Sequence, residues 1–121
     1  MLNISFYGKN GEPQELIEVS DSFYKWLAQS EFSEIGASRE TDLTIDNEQC
    51  SLNLVNLKNG NRKRLRDFLL EAIQKESDKM LNDLGDSPSK EEYQNATYTL
   101  RKLQEILKII NNPDYSYMER D

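Results

Sequence analysis

Carboxylates dominate the chemistry open to this chain, and they are unevenly placed. Between Asn10 and Leu57 ten acidic side chains stand against Lys25 and Arg39 alone, a balance of −8, whereas Lys58 to Asp121 holds twelve of each sign. Charge gathered in one stretch can steer association with a cationic surface, which a diffuse charge does poorly. Glu40, Asp42, Asp46 and Glu48 fall close together around the apolar pair Leu43 and Ile45. Three uses stand open for them: the solvated face of a one-sided sheet, a contact with a protein partner, or a site for a hard cation. Their spacing matches no EF-hand loop, and the glycine such a loop requires is missing. In an extended segment without a bulge the four project to one face. Glu31 and Glu34 add to the same acidic surface, and Tyr24 or Phe32 would serve as its anchor, a rigid aromatic ringed by charge.

The one basic block, Arg62-Lys63-Arg64-Leu65-Arg66 preceded by Lys58, opens a predicted helix. Cations at a helix amino terminus oppose the macrodipole. The acidic half of the same molecule, plain solvation, or a phosphate or nucleic-acid backbone would each offset that cost. Catalytic patterns are missing. There is no glycine-rich phosphate loop, no Gly-x-Ser-x-Gly elbow, and neither Glu-x-Lys nor Asp-x-Lys. Glu91 and Glu92 are adjacent on a predicted helix and point in different directions, which argues against shared acid–base work. With no histidine, imidazole triads, histidine metal ligands and an imidazole pH switch are excluded. Cys50 is the only cysteine, so no intramolecular disulfide or multi-cysteine metal site is possible, and it reads as a buried, inert thiol. The chain is therefore expected to be no enzyme and to need no cofactor or metal.

At 121 residues the chain is the usual size of one domain. A formal charge of −7 disfavours nucleic acid and anionic lipid as ligands, since both carry the same sign. Met1 to Tyr7 has neither the basic lead nor the long apolar core of a signal peptide, and no stretch approaches the ~20 apolar residues of a membrane span. Those absences, with one cysteine, point to the cytoplasm.

The elements that must position these groups follow from periodicity. Leu2, Ile4 and Phe6 alternate with polar residues as in a half-buried strand, Lys9 to Pro13 supplies turn chemistry, and Leu16, Ile17 and Val19 continue as a second strand. Ser20 or Asp21 would cap a short helix reaching about Gln29, with Phe23 and Trp26 in the core and Tyr24 exposed. Ser30 to Thr41 loses its period and reads as a loop. Leu43 and Ile45, then Cys50, Leu52 and Leu54, predict a second hairpin turning between Asp46 and Gln49. Helical spacing runs from about Asn61 to Asp83, with Gly85 fitted to the C′ position, and resumes after Ser87-Pro88. Ser89 with Glu92 has capping-box spacing, and Tyr93, Ala96, Thr97, Leu100, Leu103, Leu107 and Ile110 form the last stripe. The expectation is an α+β fold: a small antiparallel sheet and a short helix, packed against a carboxyl-terminal antiparallel helical hairpin. Residues 1–113 would form the single domain and 114–121 a tail. Ile106, Ile109 and Ile110 widen the last stripe, and a homodimer would cover the surplus.

Ile4-Ser5-Phe6-Tyr7-Gly8, followed by Phe23-Tyr24-Lys25-Trp26-Leu27, resembles the bacterial immunity proteins of contact-dependent inhibition and related polymorphic toxin systems. So does the class profile: one small acidic domain of strands plus helices, without catalytic residues. The resemblance implies a protein that binds the toxin domain encoded beside it, often a nuclease, and blocks its active site or substrate groove. Nuclease grooves are basic, so an acidic face at Glu31, Glu34, Glu40, Asp42, Asp46 and Glu48 would occupy one. Two other classes stay open. One is a polyanion mimic or adaptor acting on a DNA-binding protein through the same face. The other is a small enzyme, which would show a deep polar pocket holding perturbed carboxylates or tyrosines.

Overall fold

The computed structural model describes residues 2–58, 60–84 and 89–120, the side chains at 83, 84, 95 and 96 excepted. Gly85, Ser87 and Pro88, read from the sequence as a helix end and restart, lie outside the described residues, as do the side chains of Leu84 and Ala96. The fold is α+β, with a five-stranded antiparallel sheet and three helices. The strands are β1 (Leu2–Tyr7), β2 (Gln14–Val19), β3 (Ser38–Ile45), β4 (Glu48–Asn56) and β5 (Tyr117–Glu119); the helices are α1 (Asp21–Ala28), α2 (Asn61–Leu84) and α3 (Lys90–Ile110).

Both predicted hairpins form. β1 pairs with β2, Ile4 opposite Ile17, and β3 pairs with β4, Leu43 opposite Cys50. The second hairpin is longer than its apolar residues indicated, because β3 already starts at Ser38, inside the segment expected to be a loop. Before it, Glu31–Ser33 makes a single 3-10 turn capped by the Ser30 hydroxyl, which accepts from the Phe32 amide. Gly36, at φ 74°, then lets the chain double back in a conformation other residues rarely adopt.

The largest departure is at the carboxyl end. The segment expected to be a tail forms β5, the middle strand in the order β2-β1-β5-β4-β3. Met118 lies opposite Phe6 on one side and Val55 on the other and is completely buried, and Ser116 extends the ladder by donating to the Tyr7 carbonyl and accepting from the Leu57 amide. A three-residue strand between two longer ones carries too little alternation to stand out by period, and Tyr115, Tyr117 and Met118 read equally well as a docking tail.

Helix ends follow local rules. The Ser20 hydroxyl accepts from the Phe23 amide to start α1, and the Ser89 hydroxyl accepts from the Glu92 amide to start α3. Leu65, Leu69 and Ala72 of α2 meet Leu103, Ile106 and Ile110 of α3 in one core with Ile4, Phe6, Ile17, Val19, Val55 and Met118 of the sheet. Ile106 and Ile110 are fully buried there and Ile109 packs against the same cluster, so the wide stripe on α3 is used within one chain. Among the described residues no helix is long and apolar enough to cross a membrane.

β3 contributes nothing to that core. Its helix-side positions Ser38, Glu40, Asp42 and Thr44 are polar, and their partners on β4 are Val55, Asn53, Ser51 and Gln49. The apolar side of this hairpin faces the opposite way, where Leu43 and Leu54 are buried with Tyr7 and flanked by Ile45, Leu52 and Tyr117. The β1–β2 turn closes on this cluster: Gly11, at φ 91°, lies so near the Thr44 carbonyl that a Cβ would stand 2.2 Å from its oxygen. The helical layer thus covers β1, β2, β5 and one end of β4, and the rest of the β3–β4 hairpin lies beyond it.

Two arginines hold the connections. At the start of α2, Arg62 donates to the carbonyls of Leu57 (3.2 Å), Ile110 (2.5 Å), Asn112 (3.0 Å) and Tyr115. Arg120, just past β5, is buried and donates to the carbonyls of Phe32 and Ile35 (2.6 Å each) and Gly36 (2.8 Å). The planar fork of the guanidinium suits several acceptors at once. Arg120→Met should therefore destabilise the protein by about 3 kcal/mol or more, since three carbonyls lose a charged donor at roughly 1–3 kcal/mol each. Met118→Ala should cost about 2–5 kcal/mol. Urea unfolding of each variant beside an exposed Lys90→Gln control measures both, and unchanged midpoints would show that β5 is not built into the sheet.

Candidate partner-binding surface

The β3–β4 turn is only two residues long. Asp46 (φ 52°) and Asn47 (φ 65°) both take left-handed conformations, the geometry that matches the twist of a two-residue hairpin. That short turn decides which carboxylates share a face. Ile45 pairs with Glu48, so Glu48 stands on the side of Leu43 and Ile45, whereas Glu40 and Asp42 stand on the helix side with Asn53 and Ser51. The expectation of one common face for all four is corrected: Glu40 and Asp42 share a face, Asp46 is at the tip, and Glu48 is on the reverse. All four are exposed. The Ser51 hydroxyl donates to Glu40 Oε1 at 2.7 Å, which orients that carboxylate without neutralising it.

The other predicted contact residues divide. Glu31 and Glu34 are exposed at the two ends of the 3-10 turn. Phe32, expected as an anchor for a partner, is only 2% exposed and packs on Phe68 with ring centroids 6.1 Å apart. The 3-10 turn points it inward while its acidic neighbours stay in water. Tyr24 is half-buried rather than exposed, and its hydroxyl donates to the backbone carbonyl of Arg120, so it ties α1 to the end of β5. Trp26, expected in the core, is 37% exposed, its ring resting against Phe23 at 5.8 Å. An eight-residue helix buries one narrow stripe, and Phe23 and Leu27 occupy it. Cys50, expected to be buried, is half-exposed opposite Leu43.

Sheet order separates other acidic residues from these. Glu15 and Glu18 belong to β2, which is one edge of the sheet, and Glu40 and Asp42 to β3, which is the other. The charge concentrated in sequence is therefore shared between two edges.

What neutralises this charge is decided by the ion pairs. Among the described residues there are three, Lys63–Asp67 (2.8 Å), Lys75–Glu71 (3.1 Å) and Lys102–Glu105 (3.4 Å), all within single helices, and none uses a carboxylate from Asn10 to Leu57. The basic block does not turn to the acidic half: Arg62 caps carbonyls at the end of α3, and Lys63 holds Asp67, whose carboxyl pKa is lowered chiefly by that hydrogen bond.

Among the described residues no three carboxylate or thiol groups gather where they would hold a metal ion. Burial raises the phenol pKa values of Tyr7 and Tyr115, but Tyr7 belongs to the small cluster under the β3–β4 hairpin and Tyr115 to the main core. Compared with known proteins, the chain matches no family model, no curated protein and no solved structure.

Tyr7 makes one electrostatic consequence measurable. Its hydroxyl is 3.5 Å from Glu119 Oε1, and burial first, then the Glu119 charge, raise its pKa above the ordinary 10.0. A proton held more tightly in the folded state contributes stability that is complete below the unfolded pKa and disappears as pH rises through the folded one. The urea midpoint should fall as pH rises above about 10, and Tyr7→Phe should flatten part of that fall. An identical alkaline profile in the variant would refute the assignment.

Proposed function

We propose that this chain neutralises a basic protein partner by direct binding, as an immunity protein does for the toxin domain encoded beside it. The observation that carries the reading is the state of its acidic half. Glu40, Asp42, Asp46 and Glu48 are exposed on a hairpin lying past the helical layer, and none takes part in the ion pairs found among the described residues. A protein that used its cations to quench these carboxylates would have no such field to offer.

On this reading the hairpin approaches a groove that normally grips phosphates, Glu40 and Asp42 on one face and Asp46 at the tip standing in for the nucleic-acid backbone. A nuclease active site or substrate groove is the expected target. Neither catalysis nor a cofactor enters the mechanism; occlusion of the groove is sufficient. The cytoplasm, where such a toxin would act, is the proposed compartment. The antiparallel helical hairpin expected for α2 and α3 belongs to the same proposal, as the rigid back of the binding face. Its support is the contact of Arg62 at the start of α2 with Ile110 and Asn112 at the end of α3.

Stopped-flow mixing with the purified toxin domain encoded beside it is the test. Association should be fast at low ionic strength and slow by about tenfold or more as salt approaches 0.5 M, roughly where the screening length shrinks to a few ångströms. The triple variant Glu40→Gln, Asp42→Asn, Asp46→Asn should lower the association rate by about tenfold at low salt and change dissociation much less. Association that ignores both salt and these substitutions would remove the electrostatic basis of the reading.

A further inference from the structure

A second feature of the surface has both shape and charge. Between α1, the 3-10 turn and the middle of α2 lies a cleft of roughly 330 Å³. Trp26, Phe68 and Ala72 supply its apolar walls. Glu31, Glu71 and Glu76 supply carboxylates at its margin, with Lys75 the one cation among them. Lys75 is held by Glu71 at 3.1 Å, and neither Glu31 nor Glu76 takes part in an ion pair found among the described residues.

The chemistry of these walls selects an occupant. An anion would meet like charges, and a purely apolar side chain would shield carboxylates from water without giving them a partner, which is costly. A cation satisfies both halves of the site. Arginine does so better than lysine, because its weakly hydrated planar group can lie against an indole while its N–H groups reach carboxylates in pairs. We propose that this cleft receives an arginine side chain of the basic partner, with Trp26 as its aromatic wall and Glu31 and Glu76 as its acceptors. The inference rests on the proposed function and refines it: the hairpin speeds encounter, and the cleft anchors the complex. The anchoring aromatic is thus Trp26, in place of the Tyr24 and Phe32 expected from the sequence.

Trp26 is the only tryptophan of the chain, so its fluorescence reports on this cleft alone. The experiment titrates the intact protein with capped nona-arginine, nona-lysine and nona-glutamate, following indole emission and, in parallel, calorimetric heat. Nona-arginine should change the emission saturably and more tightly than nona-lysine, with nona-glutamate silent. Glu31→Gln with Glu76→Gln should weaken the arginine response by about tenfold, as expected for loss of charge-assisted hydrogen bonds. Glu15→Gln with Glu18→Gln, exposed on β2, should leave the response in place. Trp26→Leu, read by calorimetry, should weaken nona-arginine binding as well, and its thermal midpoint establishes that it is folded. Heat without any indole response, and unchanged by the Glu31/Glu76 pair, would overturn the cleft while leaving hairpin steering intact. Absence of both heat and indole change with every cationic peptide would overturn the cleft and count against the acidic-surface reading together.

Discussion

A strand in the middle of a sheet must find backbone partners on both edges, and here that strand is the last one made. β5 joins two hairpins that are otherwise separate, β1–β2 on one side and β3–β4 on the other. Its single inward side chain, Met118, fills the space between Phe6 and Val55. Its end is fixed by Arg120, whose guanidinium satisfies three carbonyls of the Phe32–Gly36 segment, and by Tyr24, which donates to the Arg120 carbonyl. The position of the 3-10 turn, the entry to β3 and the orientation of α1 all depend on this junction. Contacts so distant in sequence carry a larger chain-closure cost than those within either hairpin.

The same junction shapes the electrostatics. Arg62 and Arg120 each donate to several backbone carbonyls, so two cations of the second half serve to satisfy acceptors at the connections. The pairs found among the described residues join helix neighbours on α2 and α3, and such near-surface pairs are screened by water and add little to stability. Arg62 and Arg120 brace the connections, three lysines pair within their helices, and the carboxylates of the 3-10 turn and the β3–β4 hairpin meet solvent. Exposed carboxylates without ion-pair partners among the described residues leave a negative potential at the surface, while the connections keep their internal hydrogen bonds.

Much of this was readable in advance where one element's own residues decide its structure. Ser89 caps its helix as its type and spacing indicated, Ser20 rather than Asp21 proves to be the cap of α1, and the apolar alternation in β1, β2 and β4 found its strands. The surface was less legible. Glu31, Glu34 and the four hairpin carboxylates are exposed, but their sharing of faces turned on a two-residue turn, which reversed Glu48 relative to Glu40 and Asp42. Phe32 and Trp26 exchanged expected roles because each sits on an element too short for periodicity to choose its inward side. Arg120 had no local signature, since its acceptors are carbonyls 84 to 88 residues away.

Residue types and spacing alone determined the class of fold, the uneven distribution of charge, the helix starts and the absence of imidazole chemistry, because each depends on composition or on contacts within a few residues. Tertiary structure alone decided that Tyr117–Glu119 is the centre of the sheet, that acidic residues divide between its two edges, and that Trp26 with Glu31 and Glu76 lines a cleft. Those outcomes depend on which strands become neighbours and on which surfaces the helices leave uncovered. Both are settled by long-range packing of Met118, Arg62 and Arg120, and local periodicity carries no record of it.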